Sequence, residues 1–278
     1  MCRKAYLTIF TNTLPTFKGT RGVRIIENPY IEHLESIFTG VPFLTTKQIL
    51  EGLRKRFPET PEWALSSAVG KLKRDGVIRK IDGKLFDYGN KRCFNPYIAN
   101  EIADLFQSAQ RKLLESRRLS VSYTLWLSEF YAERPLPQII VIETIQNTER
   151  ELIYFLRKAH PGVFFSSNIA NIHKRLREGV KCCFAKAAMG NGALKSVSNV
   201  QIPSLEKLLV DLADNYRWLY NLEYDEVKNI FYRALASYEV NYGVLRRYAN
   251  SLDRGIEVKN LLMVLKRVTS VEVNNPSK

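Results

Sequence analysis

Histidine and cysteine are scarce in this chain. Three histidines (His33, His160, His173) and four cysteines (Cys2, Cys93, Cys182, Cys183) serve 278 residues. They form no C-x-x-C pair, no zinc-finger spacing and no H-E-x-x-H, which leaves no sequence motif for structural zinc, dithiol redox or zincin chemistry. Adjacent Cys182 and Cys183 read as part of a buried strand, and a reducing cytoplasm is the expected compartment. There is no G-x-S-x-G and no Walker loop, so the familiar serine-hydrolase and P-loop signatures are missing too. No cofactor is expected. Apolar runs are short, and none reaches the roughly 20 residues that span a bilayer. Arg3 and Lys4 followed by Ala5 to Phe10 faintly imitate a signal peptide. Thr8 interrupts that run and no small-residue cleavage site follows, so no membrane partner is expected.

Acidic side chains are also in short supply: 28 Asp and Glu against 42 Lys and Arg, a formal charge of +14. Such a surplus favours a polyanionic partner. Hydrophobic content of 45% and charged content of 25% are ordinary globular values, and the length suits two domains. The surplus divides evenly, +7 before residue 116 and +7 after it. Residues 47–92 alone hold 12 basic and 6 acidic side chains.

Residues 1–28 have no clean periodicity and read as an arm. Ile31, Leu34, Ile37 and Phe38 then recur at helical spacing up to Gly40. Thr45 or Thr46 can cap a second helix from Lys47 to Phe57. Thr60-Pro61 signals a third, with Thr as N-cap, Pro at N1, and Leu65, Ala68, Val69 and Leu72 inward. Val77 to Phe86 reads as a hairpin closed by Asp82-Gly83. Helix, helix, turn, helix and basic hairpin is the layout of a winged helix-turn-helix, expected over 29–96. Its candidate DNA-binding residues are Thr46, Lys47, Glu62, Trp63, Ser66, Ser67, Lys71, Lys73 and Arg74, with Arg79, Lys80 and Lys84 on the wing. Small hydroxyls let a helix approach base edges closely, and lysine and arginine reach phosphates.

A connecting helix is expected over 97–115, and a second domain over 116–278. There, Val121–Leu127, Gln138–Thr144, Gly162–Ser166 and Val180–Ala187 read as strands, and Glu149–Ala159 reads as a helix capped by Thr148. Leu205, Leu208, Leu209 and Leu212 give a helical stripe after Pro203. Further helices are expected over 225–238, 242–252 (capped by Asn241) and 257–268. The fold class is therefore α+β: a winged helix, then a mixed α/β domain with a helical cap. The aromatics Tyr216, Trp218, Tyr220, Tyr224, Tyr232 and Tyr238 fit core packing better than base stacking.

Several segments carry a family resemblance: Phe94-Asn95-Pro96 after the wing, the inner strand ending near Glu143, Ile202–Leu212 with Pro-Ser-Leu-Glu-Lys-Leu-Leu-Val-Asp, Ala236–Asn241, and Leu245-Arg246-Arg247-Tyr248-Ala249. Over roughly residues 30–265 the chain resembles the AbiEi-type antitoxins of abortive-infection systems. That resemblance implies a cytoplasmic repressor that binds inverted repeats in the double-stranded DNA of its own promoter. It also implies a C-terminal domain that counteracts a nucleotidyltransferase toxin, with or without a stable complex. Glu206, Lys207, Arg246 and Arg247 lie in the most specific segments and are the candidates for antitoxin function.

Two other readings stand beside it. One is a metal-dependent nuclease built on a restriction-endonuclease-like core, either active or degenerate, with Glu143 as its acidic residue. That chemistry wants a second carboxylate and a lysine two residues on, but Ile145 stands there. Asp211, Glu206 and Lys207 are the nearest candidates, on a helix without metal-ligand spacing. No catalytic or metal-binding residue is expected. The other reading is a winged helix that docks protein rather than DNA.

Overall fold

A cap that satisfies backbone donors on both sides opens the second helix of the chain. In the computed structural model, which describes residues 29–82, 84–89, 91–113, 119–190 and 192–272, the Thr45 side chain accepts from the Gln48 backbone N–H at 3.2 Å. The Gln48 side chain accepts from the Thr45 N–H at 2.7 Å, completing a capping box. The expected arm over 1–28 lies outside the described residues. The chain divides into two units, one ending at Cys93 and one beginning at Phe94.

The first unit runs α1 (Ile31–Phe38), β1 (Leu44–Thr45), α2 (Thr46–Arg56), α3 (Glu62–Arg74), β2 (Ile78–Asp82) and β3 (Leu85–Tyr88). Apolar side chains at helical spacing turn one face of each helix inward. Leu34, Phe38, Ile49, Leu53, Leu65, Val69 and Leu72 meet Ile78, Phe86 and Tyr88 of the sheet in one core. The three strands are antiparallel in the order β1-β3-β2, with an irregular register between Lys80 and Asp82. Gly83 of the expected turn lies outside the described residues. One start differs from expectation: Pro61, not Thr60, holds the N-cap position of α3, without a side-chain cap.

In the second unit α4 (Asn100–Lys112) precedes β4 (Ser120–Tyr123). The expected connecting helix is therefore an ordinary member of this unit, packed on α5 (Glu149–Ala159). The predicted strand Val121–Leu127 stops at Tyr123 and becomes a 3-10 helix, Thr124–Phe130. Thr124 ends the strand by accepting from the Ile139 N–H with its hydroxyl at 2.9 Å. β5 (Ile139–Thr144), α5, β6 (Phe164–Ser166), α6 (Ile169–Arg177) and β7 (Cys182–Ala187) follow.

The sheet order is β4-β5-β7-β6, with β4 antiparallel and the other three strands parallel. β5 is buried along its whole length, as an inner parallel strand should be. The hairpin β8 (Leu194–Val197) and β9 (Val200–Pro203), and helix α6, were not legible in the sequence. Four helices complete the unit: α7 (Leu205–Asn215), α8 (Tyr224–Ser237), α9 (Tyr242–Ser251) and α10 (Gly255–Glu272). The molecule is thus mixed α/β with a helical C-terminal part. Tyr220 and Tyr238 are core residues as expected, whereas Trp218 and Tyr224 are exposed.

The capping geometry separates two threonines that look alike in sequence. Thr45→Ala should cost the first unit about 1 kcal/mol in urea unfolding. Thr60→Ala should change it by less than about 0.5 kcal/mol.

Candidate functional site

Two places concentrate chemistry, one in each unit. In the first unit α3 buries Leu65, Val69 and Leu72. The opposite face leaves Glu62, Trp63, Ser66, Ser67, Lys71 and Arg74 in solvent, with Trp63 75% exposed. Lys47 at the start of α2, Lys80 on β2 and Lys84 are exposed as well. Glu62 is occupied by Arg54, whose guanidinium donates to it at 2.6 Å.

Three of the expected DNA contacts are spent inside the unit. Arg79 donates to Asp87 through Nε at 3.1 Å and Nη2 at 2.7 Å. Asp87 is buried, so this fork neutralises a carboxylate that has left water. Lys73 donates to Thr46 Oγ1 at 2.9 Å and sits 3.9 Å above the Phe86 ring. Burial, helped by the charge of Lys80, lowers the Lys73 pKa. Thr46, Lys73 and Arg79 therefore join α2, α3 and the hairpin, and each is only partly exposed. Lys91, which no local pattern singles out, donates to the Pro42 carbonyl at 3.3 Å. Desolvation brings its pKa down to about 8, with Asp87 pulling the other way.

The second unit holds a buried ionic cluster at the C-terminal ends of the parallel strands. Glu143 is the last residue but one of β5, and the register sets Lys186 of β7 directly beside it. The Lys186 ammonium reaches Glu143 Oε1 at 3.0 Å. Ser204 caps α7 and fixes Lys207 in its first turn, with Asp211 one turn further along the same face. Lys207 Nζ then donates to Glu143 at 2.9 Å, to Asp211 Oδ2 at 2.7 Å and to Tyr248 Oη of α9 at 2.9 Å. An ammonium has three protons, and all three are used. Tyr248 in turn donates to Asp211 Oδ1 at 2.7 Å, and Ser120 of β4 donates to Glu143 at 3.3 Å. The backbone at Gly192 passes over the cluster. A Cβ there would stand 2.4 Å from Lys207 Cδ and 2.9 Å from Tyr248 Cε2, so no other residue fits without displacement.

The electrostatics follow from burial and pairing. Burial works against the Glu143 carboxylate, but Lys186 and Lys207 outweigh it and hold its pKa below the usual value. Burial also works against the Lys207 ammonium, and Asp211 and Glu143 reverse that, holding its pKa up. For Asp211 burial wins and the pKa is raised despite Lys207. Burial, then Asp211, raises the pKa of both Tyr248 and Tyr220. Two carboxylates and two ammoniums make the cluster neutral overall. Lys207 sits between Glu143 and Asp211, the place a bridging cation would take.

Lys207 is 3% exposed. Its neighbour Glu206 accepts from the Asn241 N–H at 2.7 Å and ties α7 to the start of α9. Arg246 and Arg247 lie on the exposed face of α9, away from the face that carries Tyr248. The structure therefore does not gather Glu206, Lys207, Arg246 and Arg247 into one site. Lys186, Ser120 and Tyr248 were missed. The available signals were a lone lysine in an apolar strand and a tyrosine on the buried stripe of a helix.

Removing Lys207 would leave buried Glu143 and partly buried Asp211 short of a cation. Lys207→Met should therefore destabilise the second unit by about 3–5 kcal/mol. The folded pKa values of Lys207, Tyr248 and Tyr220 are all raised. Their contribution is complete below the unfolded values, near 10. It is lost as pH climbs through the folded ones. Burial also raises the Cys182 and Cys183 thiols, whose unfolded values lie lower, so melting temperature should hold up to about pH 8.5 and then fall. Lys207→Met should flatten that alkaline fall.

No curated protein matches the chain. Residues 64–267 match DUF6577, described as a family of unknown function. The match starts within α3 and ends within α10, taking in the β2–β3 hairpin and the ionic cluster, and the chain belongs to this family.

Proposed function

We propose that the chain is a DNA-binding regulator whose first unit is a winged helix with α3 as its reading helix. The observation that carries this is the outward face of α3. Ser66, Ser67, Lys71 and Arg74 share it, and among the described residues no carboxylate pairs with Lys71 or Arg74. Short hydroxyls beside long cations suit base edges and phosphates respectively. Lys47, Lys80 and Lys84 extend the basic surface at the start of α2 and on the hairpin.

We further propose that the second unit acts as an antitoxin without catalysis, on the strength of the resemblance to AbiEi-type proteins. The regulated promoter would then be its own, and the antagonist a nucleotidyltransferase toxin. The ionic cluster supports this reading: Lys207 stands between the two carboxylates as a covalently attached cation. The cluster also motivates the rival reading, because Glu143, Lys186 and Asp211 meet at the strand ends where α/β proteins place their sites.

Gel-shift titrations on the upstream region of the chain's own gene test the first claim. Lys71→Ala/Arg74→Ala should weaken binding on all sequences and lower the slope of log affinity against log salt by about 2. Ser66→Ala or Ser67→Ala should relax sequence preference instead. An unchanged affinity in the double variant would remove α3 from the interface. For the rival reading, purified protein should leave DNA and RNA intact with magnesium or manganese. Metal-dependent cleavage that disappears in Glu143→Ala would replace the antitoxin proposal with a nuclease.

A further inference from the structure

The second unit has a cleft of about 960 Å³ at the opposite ends of the parallel strands from the ionic cluster. Ile140 and Cys182, near the starts of β5 and β7, form part of its floor. One face of α6 (Ile169, Ala170, His173, Leu176, Arg177) makes a wall, at the i, i+1, i+4, i+7, i+8 spacing of a helical stripe. Such a stripe normally faces a core, yet here it borders open space. The remaining boundary comes from the start of α4, the Pro137-Gln138 segment, the Gly179–Lys181 turn and the stretch Arg217–Asn221.

The lining combines three properties. First, its charge is lopsided: Arg177, Lys181 and Arg217 face it against the single carboxylate of Glu101. Glu101 is taken by Lys181 at 2.9 Å. Among the described residues neither Arg177 nor Arg217 forms an ion pair, which leaves two guanidiniums for an incoming anion. Second, an aromatic surface is available. Trp218 is 39% exposed, although the sequence pattern placed it in the core, and Phe184 braces its ring edge-on at 5.9 Å. Third, neutral polar groups line the same space. Tyr123 donates to Gln138 at 3.4 Å. His173 Nε2 lies 2.5 Å from the Trp218 carbonyl and so must carry the proton there, leaving Nδ1 as an acceptor in the neutral ring.

We propose that this cleft binds a nucleoside phosphate, with Arg177 and Arg217 on the phosphates and the base against Trp218. Guanidiniums select phosphate by paired N–H donors. An exposed, braced indole offers a π-face to a base. The volume falls within the range of small-molecule sites. The site lies wholly within the second unit and accounts for part of the basic surplus that the first unit leaves unexplained. It does not depend on the DNA-binding proposal.

Isothermal titration calorimetry of the full chain with ATP, GTP, CTP and UTP, and separately with inorganic tripolyphosphate, tests this. At least one nucleoside triphosphate should bind in the micromolar range. Arg177→Gln/Arg217→Gln should weaken it at least about tenfold, and Trp218→Ala should weaken it by a similar factor. Both arginines are exposed, so melting curves of the double variant should match the parent and separate lost binding from lost folding. Tripolyphosphate should bind at least about tenfold more weakly than the best nucleotide. Failure of all four nucleotides below about 1 mM would overturn the proposal. So would unchanged binding in the arginine variant, or equal affinity for tripolyphosphate, which would mark a simple anion site.

Discussion

The ammonium of Lys207 is the point on which the second unit depends. It reaches a strand through Glu143, its own helix through Asp211 and a third element through Tyr248. Glu143 has left water and Asp211 nearly so, and both carboxylates depend on the ammonium for charge balance. Hydrophobic burial supplies the bulk of the stability, and the ammonium ties β5, α7 and α9 together at one point of that packing. Gly192 belongs to the same constraint, because its missing Cβ is what lets the chain close over the lysine.

The first unit separates inward from outward cations by the same logic. Arg79 is committed to buried Asp87, and Lys73 to Thr46 and the Phe86 ring. Once these are spent on cohesion, the remaining basic side chains define a narrower surface than charge counting suggested. Lys71, Arg74, Lys80 and Lys84 stay exposed, while Lys47 pairs with Glu51 one turn along α2 at 3.7 Å. A net charge tells how much anion a protein could attract. Which side chains are already paired tells where.

The elements with clean periodicity were legible in the sequence. The stripes of α1 to α3, the apolar run of β5, the leucine stripe of α7 and the Asn241 cap of α9 all appear where the pattern placed them. Short elements were not: α6 is nine residues with one fully buried side chain, and β8 has no buried residue to announce it. The ionic cluster was half legible. Glu143, Lys207 and Asp211 were each noticed, but their meeting is set by strand register and helix packing, which a single sequence does not encode in any local pattern. Lys186 escaped notice because its significance lies in sitting beside Glu143 on a neighbouring parallel strand. The pairing of Arg79 was not legible for a related reason, since its partner Asp87 lies across the hairpin and reads locally as an ordinary surface acid.

The central claim is that the outward cations of the first unit meet DNA while the inward ones hold the fold. NMR titration of the isotopically labelled chain with its promoter duplex tests both halves at once. Shift changes are expected at Lys47, Ser66, Ser67, Lys71, Arg74, Lys80 and Lys84, while side-chain signals of Arg79 and Lys73 keep their free-state positions. Perturbation of Arg79 and Lys73 with the outer face of α3 silent would contradict it.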